Sequence, residues 1–147
     1  MKFLLPVVCI IFFTLTGGVS FQHNYRSREA VVQAMKKYDD LILKMDEDSI
    51  AMLYTPDGSL GNIARGRDSI RNFLKKFINF KVIYQSSVPD SFYIHADTAV
   101  LKGSYHQKTI VAPNDTVSVS GRFNSIWVWL NGGGWHVKNM DTTPGTQ

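Results

Sequence analysis

The chain has 147 residues, enough for one domain of ordinary size, and aromatic residues make up 12% of it, enough to fill a core. Its formal charge is a mild +4, with lysines and arginines scattered and the densest group small (Lys75, Lys76, Lys81); that reads as a solvated surface and argues against a nucleic-acid stripe. The single cysteine, Cys9, excludes a disulfide framework and a cysteine-based zinc site.

Residues 1–20 read as a secretory signal peptide. Lys2 supplies the charge, an apolar run extends from Phe3 to Leu15, and Gly17, Gly18, Val19 and Ser20 are the small residues before a cut after Ser20. The run is shorter than the about 20 apolar residues of a membrane span. A lipoprotein cut at Cys9 would remove too little chain. Cleavage leaves residues 21–147, cysteine-free, with a formal charge of +3 and no membrane attachment, secreted or periplasmic.

From Arg28 to Met45 apolar residues recur at helical spacing (Val31, Ala34 or Met35, Tyr38, Leu41 or Ile42, Met45), with Ser27 as cap; Lys36, Lys37, Asp39 and Asp40 fill the other face. Asp46-Glu47-Asp48 interrupts the pattern. A short helix follows over Ser49 to Tyr54, which Pro56-Asp57-Gly58 stops. Residues 59–66 read as strand and loop. Asp68 is expected to cap a third helix, Ser69 to Ile78, with Ile70, Phe73, Leu74 and Phe77 on one face. Beyond Phe80 the period changes, and β-branched and aromatic residues predict strands over Lys81–Ser87, Ser91–His95, Thr98–Val111, Thr116–Asn131 and Trp135–Asp141. Turns are read at His95-Ala96-Asp97, Pro113-Asn114-Asp115 and Asn131-Gly132-Gly133-Gly134. Helices followed by antiparallel strands give an α+β class, with three helices packed on one face of a curved sheet.

Three patterns carry a resemblance. The segment from Met45 through Leu53-Tyr54-Thr55-Pro56-Asp57-Gly58 combines an acidic break, a short helix and a strand start. Gly66-Arg67-Asp68-Ser69-Ile70-Arg71-Asn72-Phe73 opens a helix. Gly121-Arg122-Phe123 through Ile126-Trp127, a glycine turn and Trp135-His136-Val137 form a closing hairpin. In this order and spacing, over about residues 25–141, they resemble the NTF2-like superfamily, especially its SnoaL-like and DUF4440-like branches. The resemblance implies a cone-shaped cavity between sheet and helices and a dimer through the outer sheet face. It implies no single activity.

The best-understood chemistry on such folds is ketosteroid isomerisation, which relies on a carboxylate base, a tyrosine and a protonated aspartic acid. By the resemblance, the tyrosine falls on Tyr38, the base on Asn62 and the aspartic acid on Ser125. Asn62 has no titratable carboxylate and cannot serve as a general base, so that design is not expected here.

With Ser125 facing inward, strand alternation places Phe123, Trp127 and Trp129 beside it and turns Ile126, Val128 and Leu130 outward. Leu101 and Tyr105 share a face, as do Trp135, Val137, Asn139 and Asp141. The expected ligand-binding set is therefore Tyr38, Tyr54, Tyr105, Phe123, Ser125, Trp127, Trp129 and Asn139, with Asp141 near the mouth. The two tryptophans either line a cavity or fill it. The outward apolar row is expected to be covered by a second copy, in a homodimer; with the faces reversed, the tryptophans would stand at that contact instead.

His23, His95, His106 and His136 lack metal spacing, and neither a nucleophile elbow nor a phosphate-cradling loop is present. No metal and no cofactor are expected. Asn114-Asp115-Thr116 matches a glycosylation acceptor. Three readings follow: a domain binding a small apolar or aromatic molecule; an isomerase, lyase or hydrolase using Tyr38 with Asp141 or Asp57; or a dimerising module with a filled cavity.

Overall fold

The computed structural model describes residues 26–111, 113 and 115–145. The leader at 1–20, Cys9, His23 and the Asn114 acceptor lie outside the described residues.

Helix α1 spans Arg28–Lys44, and the Ser27 hydroxyl accepts a hydrogen bond from the Ala30 N–H at 3.2 Å, satisfying one of the donors that a helix start leaves open. Met45 ends α1 in the left-handed region (φ 49°). The acidic break is a corner rather than a gap: Asp46 caps α2 (Glu47–Leu53) by accepting from the Ser49 N–H at 3.0 Å, so this helix begins two residues before Ser49.

Two expectations about helix ends are corrected. Pro56-Asp57-Gly58 does not stop α2 but lies inside strand β1 (Tyr54–Leu60). Pro56 is tolerated there because the pairing of β1 with its neighbour is interrupted between Tyr54 and Ser59, so no ladder bond needs its missing N–H. A two-residue strand β2 (Ala64–Arg65) folds back onto β1. Helix α3 then spans Arg67–Leu74 with Gly66, not Asp68, as its cap. Asp68 sits in the first turn and accepts from Arg71 at 2.7 Å. The expected end of the helix tightens into a 3₁₀ turn, Lys75–Phe77.

The long strands are β3 (Lys81–His95), β4 (Thr98–Val111), β5 (Asp115–Leu130) and β6 (Gly134–Pro144). The two segments expected before His95 form one strand, because a bulge between Pro89 and Ser91 carries it past the proline. Among the described residues the strands make one six-stranded sheet in the order β2-β1-β6-β5-β4-β3. The pairings are antiparallel except that of β1 with β6, which is parallel. A parallel neighbour needs a crossover connection, and all the rest of the chain between β1 and β6 supplies it.

The sheet bends at two glycines. A Cβ on Gly103 would stand 2.1 Å from the Val88 carbonyl oxygen and 2.8 Å from the Pro89 Cα, and one on Gly121 would stand 2.2 Å from the Thr143 carbonyl oxygen. Only residues without a side chain allow the neighbouring backbone this close. The two bends curl β4 and β5, and the helices pack on the concave side: Val31, Met35, Ile50, Ile70 and Leu101 are fully buried around Trp127 and Tyr54.

Two faces differ from the expected ones. Asp39, expected on the solvated side of α1, is buried, at 8% exposure. In β6 a bulge falls at Lys138, since Ile126 pairs with Asn139 while Trp127 pairs with Val137. The extra residue reverses the alternation. Trp135 and Val137 face the core as expected, but beyond the bulge it is Met140, 3% exposed, that points inward, and Asn139 and Asp141 do not.

Candidate functional site

Curling the sheet over three helices leaves a hollow between them. A cavity of about 430 Å³ opens between α1, α3 and the strands β3 to β6. Its floor is Phe123 and Met140; one wall comes from Phe73, Phe77, Phe80 and Val82; the other from Val111, Val117 and Val119 on the far ends of β4 and β5. Ile63, Phe80 and Val117 stand exposed at the mouth. Polar groups are few: Tyr38, Gln85, Ser87, Tyr105, Gln107, Thr109 and Thr142. Among the described residues that line it there is no Asp, Glu, Lys, Arg or His.

Of the residues expected at the site, the fold brings Tyr38, Tyr105 and Phe123 together on this cavity. Tyr54, Ser125 and Trp127 lie deeper, each at 0% exposure, and plug the narrow end of the cone. The Trp127 indole N–H donates to the Ser125 hydroxyl at 2.9 Å, and Ser125 donates to the Leu101 carbonyl at 3.3 Å. Each polar atom of this plug is thereby satisfied without water. Trp129 packs edge-on against Trp135, with ring centroids 5.7 Å apart, beside the core but off the cavity. So Trp127 fills the apex, and the hollow is the space beyond it, toward the far ends of β4 and β5.

The carboxylates and amides named from the sequence stand elsewhere. Asn139, turned over by the Lys138 bulge, accepts from the Ser59 hydroxyl at 2.7 Å. With Asn62, Arg65 and Asp141 it lines a separate polar hollow at the β1–β6 edge. Asp57 accepts from the Thr55 hydroxyl at 3.0 Å and is paired with Lys138; the Lys138 ammonium, then Thr55, holds its carboxyl below the usual carboxylate range. None of Asp57, Asn62, Asn139 and Asp141 shares the cavity with Tyr38.

Tyr38 is the chemically distinctive group. Its hydroxyl lies 3.2 Å from that of Tyr54. Tyr54 is wholly enclosed and has no other side-chain partner among the described residues, and either hydroxyl can be the donor of this bond. Burial pushes the Tyr38 phenol up to about 12, and burial raises Tyr54 well above the usual tyrosine value. Both remain neutral at physiological pH.

Sequence reasoning missed Gln85, Ser87, Gln107, Thr109, Met140 and Thr142. Alternation alone places Gln107 and Thr109 on the face of Tyr105, so that signal was present. Asp39 was missed as well. Its carboxylate accepts from the Ser87 N–H at 2.8 Å, the Ser87 hydroxyl at 2.7 Å and the Gln85 amide at 3.0 Å. These partners lie 46 and 48 residues away in the chain, and nothing local announces them.

No protein-family model matches the chain, and no curated protein sequence matches it. Solved structures do. An NTF2-like superfamily protein from Salmonella enterica serovar Typhimurium superposes with a TM-score of 0.67 at 16% identity, covering 81% of this chain and 91% of that one. A ketosteroid isomerase-like protein from Erwinia carotovora gives 0.69 at 15% identity, covering 80% and 95%. An NTF2-like protein with a cystatin-like fold from Novosphingobium aromaticivorans gives 0.63 at 16% identity, covering 78% and 79%. The likeness is one of architecture: this chain has the NTF2-like cone fold.

Proposed function

We propose that this NTF2-like domain captures a small, largely apolar molecule in the cone, outside the cytoplasm, and does so without acid–base chemistry. The observation that supports it is the lining: a hollow of about 430 Å³, in the size range of small-molecule sites, with apolar walls, a few polar groups and no ionisable carboxylate, amine or imidazole among the described residues. A general base must reach the proton it takes. Asp57 and Asp141 face other surfaces, and Asp39 is occupied by three donors behind the wall.

A neutral fluorescent probe, N-phenylnaphthylamine, should brighten on adding the protein. Val119→Trp, which places an indole in the hollow, should abolish the gain while leaving the far-ultraviolet circular dichroism unchanged. A probe response equal in the wild type and Val119→Trp would refute capture in the cone.

We also propose a homodimer through the outer sheet face. Tyr93, Val100 and Ile126 lie side by side across β3, β4 and β5 on that face, with Tyr93 64% exposed and Val88 58% exposed nearby. A second copy laid on this row would cover it. Native mass spectrometry of the protein recovered from a secreting host should give twice the mass of a chain lacking residues 1–20. A monomer, or a chain that retains the leader, would count against the respective part of this reading.

A further inference from the structure

The polar wall of the cavity is wired from behind. Asp39 lies one layer outside the lining, and its carboxylate oxygens can only accept. Gln85 must therefore turn its amide nitrogen toward Asp39, at 3.0 Å, which fixes the amide orientation and leaves Oε1 on the other side. No side-chain nitrogen or oxygen among the described residues is both buried and without a partner. Gln85 Oε1, which has no hydrogen-bond partner among them, is accordingly accessible, and Gln85 lines the cavity. Ser87 is wired in the same way. Its hydroxyl proton goes to Asp39 at 2.7 Å, and its oxygen, touched only by a long 3.5 Å contact from Gln85, keeps accepting capacity toward the hollow.

The same carboxylate is not neutralised. Among the described residues no lysine, arginine or histidine side chain lies within 4.0 Å of it. The wall thus offers acceptors backed by negative charge, beside Tyr38 on the neighbouring position of α1. A hydroxyl group meets this demand, since it can donate to Gln85 or Ser87. A carboxylate has no proton to give these acceptors and brings a like charge toward Asp39.

We propose, on the reading that the cone holds a small molecule, that it selects neutral hydroxyl-bearing apolar molecules and rejects apolar carboxylates, and that Asp39 sets this preference by turning Gln85 and Ser87 into acceptors. Asp39 acts here as a positioning residue.

The test uses naphthol and naphthoate, which share a ring system and differ in the polar group, titrated calorimetrically against the wild type, Asp39→Asn and Gln85→Leu. Naphthol should bind the wild type roughly ten-fold or more tightly than naphthoate. Both variants should narrow that ratio: Asp39→Asn by relieving the repulsion of naphthoate, Gln85→Leu by weakening naphthol alone. The second variant keeps the test decisive if Asp39→Asn does not fold. Naphthoate binding as tightly as naphthol, or a ratio unchanged in a folded variant, overturns the selectivity while N-phenylnaphthylamine still binds. Loss of all three ligands from the wild type overturns the capture reading itself, and the selectivity with it.

Discussion

Trp127→Ala is expected to cost about 3–5 kcal/mol of folding stability, the range for deleting a large aromatic side chain from a packed core. Trp127 is the largest of the fully enclosed side chains and sits where both sheet and helices converge. The cost has two parts that can be separated. One is the cavity left by the indole. The other is the Ser125 hydroxyl, which would lose its indole donor but keep its bond to the Leu101 carbonyl. Because Ser125 remains satisfied by that bond, Trp127→Phe should cost clearly less than Trp127→Ala, with the remaining loss coming from volume. Urea unfolding of the wild type and the two variants measures this. Equal losses in both, or a loss below about 1 kcal/mol in Trp127→Ala, would show that the apex is not the packed plug described above.

Gly103→Ala is expected to be nearly as damaging, about 3 kcal/mol, although it adds one methyl group. The reason is what the methyl meets. Two of its three nearest neighbours are backbone atoms of β3, the Val88 oxygen at 2.1 Å and the Pro89 Cα at 2.8 Å, and the third is the Phe123 ring, also at 2.8 Å. A flexible side chain could give way, but a paired strand cannot without losing its ladder or its bend. Gly132 is the control. It has a positive φ of 81°, but a methyl group there would meet no atom within 4 Å among the described residues, so Gly132→Ala should cost only the strain of that backbone conformation, about 1 kcal/mol. Thermal unfolding distinguishes the two, and a Gly103→Ala loss no larger than that of Gly132→Ala would contradict the close approach. If Gly103→Ala folds, the flattened bend should also weaken capture of N-phenylnaphthylamine.

The parts of this architecture that rest on local rules were legible in the sequence. Ser27 caps α1 through its own side chain, the glycine turn at 132–134 joins β5 to β6, and Phe123, Ser125 and Trp127 alternate inward as period-two residues must. What was not legible depends on partners distant in the chain. The bulge at Lys138 adds one residue opposite Ile126 and Trp127, and from there Asn139 and Met140 exchange faces; no turn residue marks it. Asp39 looks like any charged helix residue until β3 arrives with Gln85 and Ser87. Pro56-Asp57-Gly58 has the composition of a turn yet lies within β1, between the residues at its two ends, Tyr54 and Ser59, that pair with β6. The hollow itself was expected, but its position was not. Alternation showed which residues face inward and could not show that Trp127 closes the deep end while the cavity opens at the other.

The close approaches at Gly103 and Gly121 are made by the backbone of β3 and β6 and by the rings of Phe123 and Tyr105. Gln107, Thr109, Val117 and Val119 lie farther out on β4 and β5, and none of them is among the nearest neighbours at either glycine. Under the proposed capture, the parts of β4 and β5 that meet a ligand stand apart from those that set the close approaches, so exchanging them should change what the scaffold holds while it keeps its shape.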